Sequence, residues 1–259
     1  MMNSETEPQK APPEDALERK RRELAGLQAQ LADREVFLTS LRAEVAGFEG
    51  RYLREVGGLY AELDEWLAKM AEITAELIGS EESRTVAAEA RAQAGETFAA
   101  AHGEAARIEE FRPRPDLKKL FREVCNQVHP DRAATEADRA VRERLMAEAN
   151  VAYRAQDEAG LRRVMEEYLR RPEAVVGGSP EAELERVERQ IERIRRRLEE
   201  IEKEIAMINS TEIARMMVKV HEALREGRDL LDDMARGLRL RIANLREVCK
   251  ERSAGMRMR

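Results

Sequence analysis

The chain has 259 residues, of which 38% are charged and only 4% aromatic, and its formal net charge is −6. So few aromatic residues exclude a large compact core, and the scarcity of Gly and Pro (14 and 8 residues) is typical of long helices that bury narrow apolar seams. The acidic balance argues against nucleic-acid binding, and no stretch approaches the roughly 20 apolar residues of a membrane span. We therefore expect an elongated, all-α, cytoplasmic protein.

The first predicted element is a coiled coil over residues 14–78. It follows a polar, Pro-containing segment (1–13) that we expect to be a disordered tail without a secretion signal. Apolar residues recur at every seventh position from Leu17 to Ile73, with a companion column between them. This spacing is that of a heptad seam, which indicates helices packed side by side.

The heptad pattern changes register near the middle of this coil. Phe48, Tyr52 and Val56 are spaced by four and four, which is a stutter, and several glycines crowd the same place. Two interpretations remain open from the sequence. The segment is either a local unwinding within one long helix or the tip of a helical hairpin.

Residues 79–110 are rich in Ala and Glu and lose the heptad pattern. Such a segment has high helix propensity but little to bury, so we predict a semi-rigid helical connector. The sequence FRPRP at 111–115 should end it, because residues that precede proline are disfavoured in the helical region.

A small helical domain is predicted for residues 111–170. Its first helix, with Asp116 as N-cap, has one apolar stripe: Leu117, Leu120, Phe121, Val124 and Val128. Pro130 stops this helix, and Thr135 with Asp138 forms a capping box for the next one. That second helix buries Val141, Leu145, Ala149, Ala152 and Tyr153.

Two groups of polar residues are the candidate functional residues of this hairpin. The loop between the helices carries His129, Pro130 and Asp131, and we expect it to be exposed at one end of the hairpin. The outer face of the first helix carries Lys118, Lys119 and Arg122. A basic face on an acidic chain favours selective docking to an acidic partner surface.

Breakers at residues 171–180 predict a linker, and residues 181–252 then predict a C-terminal antiparallel helical hairpin or coiled coil. Its heptad positions from Leu184 to Ile208 are all aliphatic. The sequence Asn-Ser-Thr ending at Thr211 interrupts the pattern and offers a cap for a new helix. The heptads favour a homodimer, although pairing within the chain would satisfy the same seams.

The helix, the His-Pro-Asp loop and the following helix with its late Ala152-Tyr153 pair resemble the J-domain of DnaJ-type co-chaperones. The resemblance covers residues 117–156 and does not extend to the zinc repeats or the β-rich client domain of DnaJ. The first helix that most J-domains carry has no counterpart at residues 105–116.

The resemblance implies a function that needs a partner. His129, Pro130 and Asp131 would activate the ATPase of a DnaK-type chaperone, and Lys118, Lys119 and Arg122 would dock onto it. The coiled coils would then direct that chaperone to an unknown client protein. No cofactor is expected in this chain, because ATP and magnesium belong to the partner, and the chain itself would not be an enzyme. The alternative is a structural coiled-coil adaptor whose J-like hairpin is degenerate and does not stimulate a chaperone.

Cys125 and His129 lie four residues apart at the end of the first helix and the start of the loop, which could suggest a thiol–base pair, but the sequence shows no partner that would orient the base. With only two cysteines and three histidines in the chain, a four-ligand metal site is not expected either. We interpret Cys125 as a small buried residue, and both Cys125 and Cys249 as reduced thiols.

Overall fold

The computed structural model describes residues 13–133, 135–169 and 180–257, so most of the predicted tail and nearly all of the predicted linker (171–180) lie outside the described residues. The α-helices are α1 (Pro13–Tyr52), α2 (Gly58–Ile78), α3 (Glu81–His102), α4 (Pro115–Val128), α5 (Glu136–Arg154), α6 (Glu158–Leu169), α7 (Pro180–Asn209), α8 (Glu212–Arg225) and α9 (Leu230–Arg257). No strand occurs in the described ranges, which confirms the all-α class. None of these helices combines the length and apolar character that a membrane span requires.

The chain divides into two compact units. The first contains Met1–Leu41 and Arg112–Met207, and the second contains Arg42–Phe111 and Ile208–Arg259. Helix α1 therefore contributes its first part to unit 1 and its last turns to unit 2. The predicted functional residues all belong to unit 1.

In unit 2 the helix continues through the stutter without a turn. A π-helical segment, Leu53–Gly57, joins α1 to α2, and Tyr52 and Gly58 on either side have α-helical dihedral angles (φ −56° and −60°). A π-helical turn absorbs an extra residue without breaking the helix, as the shift in heptad register requires. The hairpin-tip interpretation is therefore wrong.

Helix α3 packs along α2 as an antiparallel neighbour. The turn between them uses Gly79, whose φ of +73° favours glycine, and Ser80 caps α3 by accepting from the backbone N–H of Ser83 at 3.2 Å. Both helices bury alanines at seven-residue intervals: Ala61, Ala68 and Ala75 on α2, and Ala87, Ala94 and Ala101 on α3. The segment expected to have little to bury thus has an alanine seam.

The segment that follows α3 lies directly against the end of α1. The Arg54 guanidinium donates to the carbonyl oxygens of Ala106 and Ile108, both at 2.7 Å. A Cβ atom on Gly50 would lie 2.2 Å from the oxygen of Ile108, and one on Gly47 would lie 2.8 Å from the oxygen of Glu109. Gly47 and Gly50 are therefore explained by the close approach of two backbones.

Helices α8 and α9 complete unit 2. Thr211 caps α8, as predicted, by accepting from the backbone N–H of Ala214 at 3.3 Å. A second break, with Gly227 at φ +79°, separates α8 from α9. The expected two-helix hairpin of residues 181–252 is thus three helices, of which α7 belongs largely to unit 1.

In unit 1, α7 lies beside the first part of α1. Arg21 of α1 pairs with Glu183 of α7, and Glu35, further along α1, pairs with Arg197, further along α7, so the two helices run parallel. Both bury the predicted aliphatic columns: Leu17, Leu24, Leu31 and Leu38 on α1, and Val187, Ile191, Ile194, Ile201 and Ile205 on α7. These apolar columns of α1 and α7 lie in a seam within the chain.

The remainder of unit 1 is a three-helix bundle of α4, α5 and α6. Phe121 of α4 and Tyr153 of α5 stack with ring centroids 4.1 Å apart, and both are fully buried. Gln156 adopts a left-handed conformation (φ 54°) that ends α5, and α6 returns to cover α4 with Leu161 and Val164. This bundle fixes the position of the loop between α4 and α5.

Candidate functional site

Helix α4 lies where the sequence predicted it, but its first residue and its N-cap differ from the prediction. It begins at Pro115 with Arg114 as N-cap residue, so the prediction of Asp116 as N-cap was wrong. Proline is suited to the first helical position because its missing N–H would have no partner there. Asp116 lies in the first turn, where its charge is favourable to the helix dipole.

The loop after α4 is a single turn of 3-10 helix, Pro130–Arg132, whose geometry is fixed by His129. The His129 Nδ1 atom accepts a hydrogen bond from the backbone N–H of Asp131 at 3.1 Å. The neutral imidazole therefore carries its proton on Nε2. The loop is a turn in which a hydrogen bond holds the histidine ring against the Asp131 backbone.

Two arginines that the sequence analysis did not single out brace this loop. Arg132 donates to the side-chain oxygen of Asn126 at 3.0 Å. The buried Arg142 donates to the carbonyl oxygen of Gln127 at 2.7 Å and to the Tyr168 hydroxyl at 2.8 Å, which ties α5 to the end of α4 and to α6.

The signal for Arg142 was present in the sequence. Asp138 lies one helical turn before Arg142, and its carboxylate accepts from the Arg142 Nε atom at 2.8 Å. Thr135 caps α5 as predicted, accepting from the backbone N–H of Asp138 at 3.2 Å. Spacing predicted a helical charge pair, but it could not show that the guanidinium also reaches two neighbouring helices.

The structure corrects the expectation that the His-Pro-Asp loop is exposed. His129 is only 6% exposed, and Pro130 and Asp131 are half-buried. The cause is helix α1, whose Glu35 carboxylate lies 3.5 Å from the His129 Nε2 atom. This is the nitrogen that carries the proton in the neutral ring, so the carboxylate faces a donor at the outer limit of hydrogen-bond distance.

Glu35 is a buried carboxylate held by two cationic or donor groups. Arg197 of α7 donates to it at 2.9 Å, and Arg197 also contacts Glu204 at 3.0 Å. Burial favours the protonated carboxyl group, but the hydrogen bonds from His129 and Arg197, together with the charge of Arg197, outweigh burial and hold the pKa of Glu35 below its ordinary value. Glu35 is therefore ionised where it meets the loop.

The basic face of α4 is divided between a paired and an exposed part. Arg122 forms an ion pair with Asp33 of α1 at 2.6 Å, with the two side chains 59% and 55% exposed. Lys118 and Lys119 point to solvent one turn earlier. The structure thus places all three predicted docking residues on one side of α4, and α1 engages one of them.

Helix α1 also contacts α5 behind the loop. The Ser40 hydroxyl lies 3.0 Å from the Tyr153 hydroxyl, and Thr39 donates to the Asn150 side-chain oxygen at 3.4 Å. Sequence reasoning missed Asp33, Glu35 and Ser40 because they lie in a heptad coil, where polar residues are expected to face solvent.

Cys125 does not have the properties of a nucleophile. The thiol is fully buried, and burial together with the negative charge of Glu35 raises its pKa well above the ordinary value. A nucleophilic cysteine needs the opposite environment. The interpretation of Cys125 as a small core residue fits this burial. Within the described ranges, no cluster of His, Cys, Asp and Glu could hold a metal ion.

No protein-family model, curated protein or solved structure matches this chain.

Proposed function

We propose that the chain is a J-domain-type co-chaperone that stimulates the ATPase of a DnaK-type chaperone. The observation that carries the proposal is the turn between α4 and α5, in which His129 caps the short 3-10 helix that contains Pro130 and Asp131, beside a basic helix face. A turn braced by Arg132 and Arg142 can present three side chains to a partner with little loss of conformational entropy on binding.

The proposed roles follow from charge and position. Lys118, Lys119 and Arg122 would meet an acidic groove of the chaperone, which raises the encounter rate and fixes orientation more than it adds affinity. Asp131 would pair with a partner cation, and the His129 Nε2–H would donate a hydrogen bond. Pro130 has a fixed φ and would keep both in place.

The proposed activity belongs to the complex and not to this chain alone. ATP and magnesium would be bound by the chaperone, so we propose no enzymatic activity for this chain and a cytoplasmic location beside its partner. The coiled-coil segments would contact an unknown client protein or a second copy of the chain.

The proposal is tested by single-turnover ATP hydrolysis of a DnaK-type chaperone in the presence of this protein. We expect the wild type to accelerate hydrolysis and His129→Gln to lose that effect, since glutamine cannot reproduce both the contact with the Asp131 backbone and the Nε2–H donor. His102→Gln is the matched control, because His102 is an exposed histidine outside the loop. Equal stimulation by the wild type and His129→Gln, or none by either, would reject the proposal.

A second candidate function is a coiled-coil adaptor whose J-like hairpin does not stimulate a chaperone. The burial of His129 against Glu35 favours this alternative, because the loop is already occupied within the chain. Its discriminating test is charge reversal at Lys118 and Arg122. If the chain is only an adaptor, its function in cells would survive these changes. If it is a co-chaperone, that function would be lost, because the basic face could no longer dock onto the chaperone.

A further inference from the structure

Helix α1 directs two carboxylates at the side chains that are proposed to act on a chaperone. Asp33 pairs with Arg122 on the basic face at 2.6 Å, and Glu35 meets His129 of the loop at 3.5 Å. Both residues lie within one helical turn of α1. This turn offers carboxylates to the basic face and to the loop histidine, as an acidic groove of a partner would.

The second contact is the better secured of the two. Glu35 is buried, and its other side is held by Arg197 of α7. Arg197 of α7 therefore holds the Glu35 carboxylate in position. The His129 side chain beside Glu35 is only 8% exposed.

Neither the Arg122–Asp33 contact nor the His129–Glu35 contact is strong in itself. The Arg122 and Asp33 side chains are each more than half exposed, and exposed ion pairs stabilise a structure little. The His129–Glu35 contact lies at the outer limit of hydrogen-bond distance. Contacts of this strength can be displaced by a partner that offers a larger acidic surface.

We propose that residues 33–35 of α1, hereafter the inhibitory turn, autoinhibit the His-Pro-Asp loop by occupying it together with the adjoining basic face. This inference rests on the proposed co-chaperone function. The co-chaperone is competent when the inhibitory turn has moved off the loop, and its apparent affinity for the chaperone is reduced by the fraction of molecules in which the loop is covered.

The test compares two variants of the full chain with equal changes of charge. The release variant, D33K/E35Q, reverses the attraction to Arg122 and removes the charge that faces His129. The control variant, D15K/E18Q, makes the same substitutions at two exposed positions of α1. Lysine and glutamine both have high helix propensity, so α1 remains helical, which circular dichroism verifies.

Two quantities are measured for each variant. The first is the rate at which diethyl pyrocarbonate modifies His129, read by mass spectrometry against the exposed His102 of the same molecule. The second is the concentration that gives half-maximal stimulation of ATP hydrolysis by a DnaK-type chaperone. For the release variant we expect His129 to become about as reactive as His102 and the half-maximal concentration to fall about fivefold. The control variant should match the wild type in both.

The outcomes separate this inference from the function on which it rests. If His129 becomes reactive while the release variant and the wild type stimulate equally, autoinhibition is rejected and the co-chaperone function stands. If His129 stays protected in a folded release variant, autoinhibition is likewise rejected. If His129 becomes reactive and no variant stimulates, the co-chaperone function fails and the inference fails with it.

The single substitution Asp33→Lys guards against loss of fold in the release variant, since Asp33 is exposed and no buried group is changed. A smaller shift of both quantities in the same direction is expected. An Asp33→Lys protein indistinguishable from the wild type, beside a release variant that does not fold, would overturn the proposal.

Discussion

At the scale of single residues, His129 has both ring nitrogens engaged. One accepts from the Asp131 backbone within the loop and the other faces Glu35 of α1. The first contact gives the loop its shape, and the second hides it. The same histidine thus links the local structure of the turn to its accessibility, and Glu35 is the residue on which that link depends.

Stability should depend on pH through Glu35. Its pKa is lower in the folded protein than in the unfolded chain, so its contribution to stability is present above the ordinary glutamate pKa and is lost as the pH falls through the folded value. We expect Glu35→Gln to lower the free energy of unfolding by about 1–2 kcal/mol at pH 7. That difference should shrink in acid, where the wild-type carboxyl group is protonated.

Denaturant unfolding of the wild type and Glu35→Gln, measured from neutral pH down to the acid range in which Glu35 is protonated, checks the prediction. The groups that face Glu35 are His129, Arg197 and the protonated Cys125 thiol, and both proteins contain them. A difference between the two proteins that is the same at every pH would contradict the account of Glu35.

The candidate residues themselves could be predicted from the sequence, whereas their surroundings could not. Proline after an amphipathic helix marks the turn, and basic residues off the apolar stripe mark the face. The partners Glu35 and Arg197 are 94 and 68 residues from His129 and look like ordinary polar positions of a coil. No local pattern encodes a contact over that separation, so burial of the loop could not be foreseen.

At the scale of elements, apolar periodicity predicted helices better than it predicted what they pack against. The alanine seam of α2 and α3 went unnoticed because alanine was interpreted as helix propensity rather than as a buried face. Small side chains at seven-residue spacing let two helices approach closely, and Ala68 and Ala94 are almost completely buried as a result. The stutter was recognised, but only the backbone shows that a π-helical turn absorbs it.

The close approach at Gly50 gives a prediction for unit 2. A Cβ atom there would lie 2.2 Å from the Ile108 carbonyl oxygen, so Gly50→Ala must move the segment that Arg54 holds. We expect the free energy of unfolding to fall by about 2–3 kcal/mol, measured by denaturant unfolding.

Gly58→Ala is the matched control, because a Cβ atom at Gly58 meets nothing within 4 Å and its φ is −60°. Removing a glycine from a helix at an open position should raise stability by about 0.5–1 kcal/mol. If Gly50→Ala and Gly58→Ala change the free energy of unfolding equally, the close backbone approach does not explain why a glycine is needed at position 50.

At the scale of the whole molecule, the chain combines a hydrogen-bonded loop with a helix that covers it. The all-α class followed from composition, and the pairing of α1 with α7 was one of two arrangements that the heptads allowed. What the heptads did not predict is a second use of α1, whose residues 33–40 contact α4, the loop and α5. A helix that packs on two sides places its polar residues at the loop while its leucines serve the seam.

The most direct test of this account combines the release variant with loss of the loop histidine. Single-turnover ATP hydrolysis by a DnaK-type chaperone is measured with D33K/E35Q and with D33K/E35Q/H129Q. We expect the first to stimulate at lower concentration than the wild type and the second not to stimulate, because uncovering the loop matters only if His129 is the acting group. Stimulation that persists without His129, or a release variant that does not stimulate at all, would contradict it.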